Sequence, residues 1–466
     1  MKIPRILIAA ASSGSGKTVT SCGIMEALKQ QGIRLVSGKC GPDYIDPMFH
    51  REVLKIDAQN LDLFFYDKEH LRKLFIQHCK NTQMAVLEGV MGFYDGMGID
   101  TDKGSSYDVA KALETPVVLV VSCKGSALSV VALLKGLIEF RKDSNIQGFL
   151  LNRVSEMLYP RMKQMIEAQL KQEGYDIPVI GYIPEDPAFA LESRHLGLVT
   201  PDGVTHLETK IKRAGEILGK TIDWETFFRI ANGAPKLSEE EGMENIVPAE
   251  REIPIAVARD EAFCFYYKDN LELLKSLGCK LIPFSPLKDR ALPTGGKGLI
   301  LGGGYPEEYA RQLSENKTML ESVHDAITNG MPCHAECGGF LYLQEQLENR
   351  EGESYGLVGI FKGKAFPKGR LVRFGYVNLT AEKDGTFLRK GEQIRGHEFH
   401  YWDTEENGED VYAKKPDGKR SWHCIHMKEN LFAGFPHIAY GSNRRFAERF
   451  VECAVQYKEK RKKDVK

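Results

Sequence analysis

Residues 6–18 read Ile6-Leu7-Ile8-Ala9-Ala10-Ala11-Ser12-Ser13-Gly14-Ser15-Gly16-Lys17-Thr18, and the reading of this stretch decides the fold. The apolar run describes a strand buried on both faces, the Gly/Ser segment a tight loop, and Ser21–Gln30 the helix that follows. Gly14, Ser15 and Gly16 allow the backbone to curl so that its N–H groups face an anion. The next helix adds the positive end of its dipole. Lys17 is placed to reach β/γ phosphates and Thr18 to ligate Mg²⁺, so the expected ligand is ATP with Mg²⁺. Ala11 stands where the usual loop pattern begins with Gly. Ser12 and Ser13 stand where switch-type ATPases carry an extra lysine, which weakens that class.

Working outward, further β-rich runs alternate with helix-length segments: Met84–Leu87, Val117–Ser122, Gly148–Asn152 and Val179–Ile183, with Ala127–Phe140 among the helices. This is an α/β pattern with a parallel sheet. The text changes between Pro235 and Glu252, where residues 236–252 are charged, lack periodicity and read as a linker. A second α/β series then begins at Ile253–Ala258 and continues through Lys280–Pro283, Gly298–Leu301 and Pro332–Ala335, with helices near Asp269–Leu277 and Lys317–Asn329. The expected organisation is a P-loop domain over 1–235, a linker over 236–252, a second domain over 253–447 and a charged tail over 448–466.

Composition restricts the function further. The 466 residues carry 63 Lys+Arg against 64 Asp+Glu, a net charge of −1, which argues against generic nucleic-acid binding. No apolar run approaches the roughly 18 residues of a membrane span, and the expected location is the cytoplasm. The ten cysteines include no C-x-x-C pair, which supports neither a zinc ribbon nor a thioredoxin motif.

Two acidic clusters join the phosphate loop. Gly41-Pro42-Asp43-Tyr44-Ile45-Asp46-Pro47 is a carboxylate-rich loop, and Leu87-Glu88-Gly89 places a carboxylate at a strand end, on the sheet edge that also holds the phosphate loop. Glu88 and Asp43 are therefore candidate Mg²⁺ ligands beside Thr18. In the second half, His334-Ala335-Glu336-Cys337-Gly338-Gly339 reads as strand, sharp turn and helix with a thiol at the turn, a nucleophile elbow whose helix N-terminus is expected to lower the thiol pKa. Gly302, Gly303 and Gly304 end another strand and, with Gly338, are candidate oxyanion donors. Five histidines follow the cysteine: His397, His400, His423, His426 and His437. His437 lies late in the domain before a β-like run and is the expected base. A triad-type glutaminase carries an acidic residue two places after this histidine, and here that residue is Ala439.

These motifs, with Arg373–Tyr376 (RFGY) and Gly396–Tyr401 (GHEFHY), occur in an order that resembles the cobyrinic acid a,c-diamide synthase family of the cobyrinate/cobyrate amidotransferase group, across nearly the whole chain. The resemblance implies a dethiobiotin synthetase-like ATP domain followed by a flavodoxin-like class I glutaminase domain whose branch lacks the usual triad glutamate. It implies amidation of a tetrapyrrole carboxylate through an acyl phosphate, with ammonia released from L-glutamine by Cys337 and His437, and Lys17 and Asp43 serving the ATP-dependent step. It further implies substrate contacts from Tyr44, Asp46, Asp95, Arg194 and His195, and an adenine contact from Asn152. RFGY and GHEFHY are expected to shape the interface between domains. Cobyrinic acid, hydrogenobyrinic acid and nickel-sirohydrochlorin remain alternative substrates, and a P-loop switch ATPase with a vestigial glutaminase module is the alternative of another class. A homodimer is compatible with the chain.

Overall fold

The computed structural model describes residues 1–190, 201–238 and 252–463, with the side chains of 201–205 and 458–463 left aside. The chain divides into two compact units, Met1–Gly242 and Met243–Lys466.

The first unit is built on β1 (Arg5–Ala10), β2 (Leu35–Cys40), β3 (Ala58–Leu61), β4 (Met84–Glu88), β5 (Val117–Ser122), β6 (Ile146–Asn152) and β7 (Val179–Ile183). These seven strands form one parallel sheet in the order β3-β2-β4-β1-β5-β6-β7. Helices cover the sheet, so Ile6, Ile8, Val86, Val118, Leu150 and Ile180 are buried together with Cys22 and Met25 of α1 (Lys17–Gln30). Each such aliphatic side chain contributes about 1.5–3 kcal/mol on burial. Central β1 is flanked by β4 and β5, and the chain leaves it first towards one edge and later towards the other. The crevice at the carboxyl end of such a switch point is where an α/β sheet receives a ligand, and the phosphate loop opens there.

β2 and β3 are absent from the sequence expectation. Both are short and interrupted by polar residues, yet Ser37, Lys39, Gln59 and Asn60 are all buried. The first unit also runs past residue 235. Leu237, expected in the linker, is buried, and its backbone exchanges hydrogen bonds with Met1. Most of the expected linker lies outside the described residues.

The second unit contains β8 (Ile253–Ala258), β9 (Phe263–Phe265), β10 (Cys279–Phe284), β11 (Gly298–Leu301), β12 (Gly303–Gly304) and β13 (Cys333–Glu336). The main sheet has the order β10-β8-β11-β13 and continues into Leu431–Gly434 and His426–Lys428; only the last strand is antiparallel. Its five parallel strands thus follow the flavodoxin-like order 2-1-3-4-5. RFGY and GHEFHY lie on neighbouring antiparallel strands of a second, five-stranded sheet, with Arg373 opposite His400 and Tyr376 opposite His397. The segment over 448–466 expected as a charged tail, its end from Tyr457 as a frayed helix, lies in the helix Arg444–Lys463 as far as Lys463, and Phe450, Ala454 and Tyr457 of that helix are buried. Among its described side chains, Arg444, Arg445 and Glu452 are exposed, while Phe446, Phe450, Ala454 and Tyr457, spaced three and four apart, are buried.

Candidate active sites

At the first site, Gly16 has φ 87° and ends the loop where α1 begins. A Cβ there would stand 2.7 Å from Asn152 Nδ2, so glycine is required by both conformation and space. The Asn152 amide donates to the Ser15 carbonyl at 2.9 Å, so this side chain, expected at the adenine, braces the loop itself. Lys17 Nζ donates to the Ser12 carbonyl at 3.0 Å and to that of Met91. Burial, with the Lys39 charge nearby, pushes the Lys17 ammonium down to about 8. An arriving phosphate would supply the missing counter-charge.

Strand register builds the rest. Lys39 of β2 lies opposite Glu88 of β4, and their side chains meet with Lys39 Nζ 2.8 Å from Glu88 Oε1. The same oxygen accepts from Thr18 Oγ1 at 2.6 Å. Lys39 also pairs with Asp46 Oδ2 at 2.5 Å and donates to the Gly89 carbonyl at 3.2 Å. Glu88 Oε2 lies 3.1 Å from His50 Nε2, while His50 Nδ1 lies 2.6 Å from Ser37 Oγ. With Ser37 donating to Nδ1, the imidazole carries its proton on Nε2, the nitrogen that faces the carboxylate. Burial disfavours the Glu88 charge, but Lys39 and His50 outweigh it and hold the carboxyl well below its usual range. Burial likewise opposes the Lys39 charge, and the flanking carboxylates reverse it.

Asp43 Oδ1 accepts from the backbone N–H of Ile45 at 2.8 Å and of Asp46 at 3.3 Å, so one of its oxygens starts α2 (Ile45–Glu52). Tyr44 stands at the N-cap of that helix. Asp95 Oδ2 accepts from Gly92 N–H at 2.8 Å and closes the loop after β4. Arg194 and His195 lie outside the described residues. Among the described residues, no set of three or more His, Cys, Asp or Glu side chains is arranged to hold a metal alone. Thr18 and Glu88 are hard oxygen donors, a set that fits a small divalent ion taking its other ligands from phosphates and water.

At the second site, Cys337 follows β13 with φ 46° and ψ −103°, a left-handed, strained conformation that sets the thiol on a sharp turn. Its N–H donates to the Gly434 carbonyl at 2.8 Å, anchoring the turn to the adjacent strand. A Cβ on Gly338 would stand 3.0 Å from the Gly304 nitrogen, and a side chain on Gly303 would run into the His437 ring. The Cys337 turn, the Gly303–Gly304 backbone and His437 therefore share one location. One expectation is corrected: burial, then the Glu307 carboxylate, pushes the Cys337 thiol up, and the opposing Gly338 N–H does not restore it. The helix that follows, Gly338–Tyr342, is a single short turn and too weak a dipole to reverse burial.

Of the other histidines, His400, His423 and His426 are engaged elsewhere, His426 at the Glu406 carbonyl. His400 stacks on Phe435 with ring centroids 3.9 Å apart, and His423 pairs with Glu382 at 2.9 Å. His397 lies opposite His437 across the strand pair, and burial pushes it down to about 3. Sequence reading assigned no role to Lys39, His50 or Glu336. Lys39 lies two residues before the acidic loop, and Glu336 sits between His334 and Cys337; His50 carries no local signal.

Comparison with known proteins agrees with this division. Residues 6–199 match the CobQ/CobB/MinD/ParA nucleotide binding domain, and residues 254–445 match the CobB/CobQ-like glutamine amidotransferase domain. Fold and sites thus define a class: a P-loop nucleotide-binding unit followed in the same chain by a glutamine amidotransferase unit. Cobyrinate a,c-diamide synthase from Listeria monocytogenes serotype 4b is 42% identical over 451 residues, covering 94% of this chain and 97% of that protein. The synthase from Caldanaerobacter subterraneus subsp. tengcongensis is 40% identical over 450 residues, covering 96% and 97%. That from Priestia megaterium is 37% identical over 461 residues, covering 98% of each chain. The chain belongs to the cobyrinate a,c-diamide synthase family.

Proposed function

We propose that this chain is an ATP- and glutamine-dependent ligase that converts the a- and c-carboxylates of cobyrinic acid to amides in cobalamin biosynthesis. The observation that carries the reading is the presence of both sites in a chain of this family. The loop closed by Thr18 and Glu88 serves activation, and the Cys337 turn beside Gly303, Gly304 and His437 serves ammonia release. The ten free thiols, eight of them buried, support a reducing cytoplasmic setting.

Amide formation from a carboxylate and ammonia is unfavourable in water, so the carboxylate must first be activated. In the first unit a substrate carboxylate oxygen attacks the γ-phosphorus of ATP, ADP leaves, and an acyl phosphate results. Ammonia then adds to its carbonyl carbon, phosphate leaves with the bonding pair, and a proton is released. Lys17 and Lys39 supply positive charge where the phosphoryl group carries negative charge. Thr18 and Glu88 would hold Mg²⁺, with Asp46 and the second oxygen of Asp43 nearby. Mg²⁺, when bound, neutralises phosphate charge. In the second unit the Cys337 sulfur attacks the glutamine side-chain carbonyl, ammonia departs, and water hydrolyses the thioester to glutamate. A thiol held protonated at rest requires a base, and His437 takes its proton and returns it to the leaving nitrogen.

The test incubates the protein with ATP, Mg²⁺, glutamine and, separately, cobyrinic acid, hydrogenobyrinic acid and nickel-sirohydrochlorin, with products read by mass. Two replacements of OH by NH₂ on cobyrinic acid alone are expected. Turnover of another macrocycle in its place would reassign the substrate, and no ATP-dependent amidation of any would favour the switch-ATPase alternative.

A further inference from the structure

The residue two places after His437 is Ala439, which is buried and apolar and cannot orient an imidazole. A carboxylate reaches the ring from another part of the chain. Glu336, the residue before the nucleophile, points its Oε2 at His437 Nδ1 at 3.6 Å, and its Oε1 accepts the Ile438 N–H at 2.8 Å. One carboxylate thus holds the backbone beside the base and faces the base's ring. Catalytic hydrogen bonds are commonly long before substrate arrives, and the 3.6 Å separation is of that kind.

The surroundings fix this carboxylate in place. His334 Nε2 lies 3.3 Å from Glu336 Oε1, and His334 Nδ1 lies 2.6 Å from the Tyr440 hydroxyl. With Tyr440 donating to Nδ1, neutral His334 carries its proton on Nε2, the nitrogen that faces Glu336 across 3.3 Å. Asn270 holds the same segment from its other side, donating to the Ile438 carbonyl at 2.7 Å and accepting from Tyr440 N–H at 2.8 Å. Burial works against charge on Glu336, but His334, His437 and the Ile438 N–H outweigh it and keep the carboxyl low, hence ionised.

We infer that Glu336 is the positioning carboxylate of the glutaminase site, completing a Cys337–His437–Glu336 arrangement in which the acid directly precedes the nucleophile. The inference rests on the glutaminase reading of Cys337. Glu336 holds the His437 proton on Nδ1 and leaves Nε2 to exchange the other. The S–H proton of Cys337 passes to Nε2 as sulfur bonds to the glutamine carbonyl carbon. The same proton goes to the departing nitrogen as the C–N bond breaks. Glu336 stays ionised throughout.

The experiment compares glutamine hydrolysis in the wild type, Glu336→Gln and Cys337→Ser, with ¹⁵N-histidine spectra of the full-length protein assigned through His437→Gln. Glutamine side-chain amide can keep the Ile438 bond but presents N–H to Nδ1, the wrong polarity for this tautomer. The expected result is a fall in kcat of roughly 10²–10⁴-fold with KM for glutamine nearly unchanged, and a wild-type His437 protonated on Nδ1. Full kcat in Glu336→Gln would overturn the inference while leaving the glutaminase reading intact. A wild-type His437 with bare Nδ1 overturns it whether or not the variant folds. Undiminished hydrolysis by Cys337→Ser removes the glutaminase reading, and this inference with it.

Discussion

Lys39 shows most clearly what a single residue contributes. A lysine in a short strand reads as a solvated position, yet here it is buried, bonded to Glu88 and Asp46 and backed by the Gly89 carbonyl. Leaving one partner of such a group uncompensated costs about 3–5 kcal/mol. Lys39→Met is expected to lower thermal stability and to reduce amidation by about a hundredfold or more with either glutamine or ammonium salts. Turnover near wild type with ammonium would remove Lys39 from the activation site. The carboxylates around it were legible as a cluster. Their division of labour was not, because Asp43 accepts from the first backbone N–H groups of a helix, Asp46 pairs with lysine and Glu88 faces Thr18 only once the strands align.

Among the elements, the helix Arg444–Lys463 departs furthest from its sequence reading. Charge dominates its sequence, and the sparse apolar stripe becomes significant only where a core accepts it. Phe450 is buried with Phe446 and Phe387, and Phe450→Ala is expected to cost about 3–5 kcal/mol, measured by denaturant unfolding. The helix is also tied down by Arg449, whose Nη2 lies 2.8 Å from Glu392 Oε1. Hydrogen bonds from Arg449 hold the Glu392 carboxyl down at about 2. A folded-state value below the unfolded one adds stability at neutral pH, lost as pH falls from about 4.5 to about 2. The pair is partly solvated, so its worth is below about 1 kcal/mol. The melting-temperature gap between wild type and Glu392→Gln should therefore be small at neutral pH and close across that acidic window; a gap that persists to pH 2 would refute the assignment.

For the whole molecule, the two sites predict a crossed pattern of losses. Lys17→Ala should abolish amidation with glutamine and with ammonium alike, because activation precedes any nitrogen donor. Cys337→Ser should abolish only the glutamine-dependent reaction, and ammonium should restore it. Steady-state rates with each donor check both, and a Cys337→Ser protein inactive with ammonium yet folded would contradict the division of labour.

The phosphate loop, the cysteine turn, the two α/β series and the family itself were legible in the linear chain, because each is written in contiguous residues whose spacing alone sets backbone shape. Polar strands β2 and β3, the packed C-terminal helix and the carboxylate at His437 were not. Lys39 and Glu88 stand 49 residues apart, and Glu336 and Ile438 stand 102 apart. Which of many acidic and basic side chains meet over such separations is set by strand register and by burial of the faces between them. Neither has a local signature, and folding specifies both together.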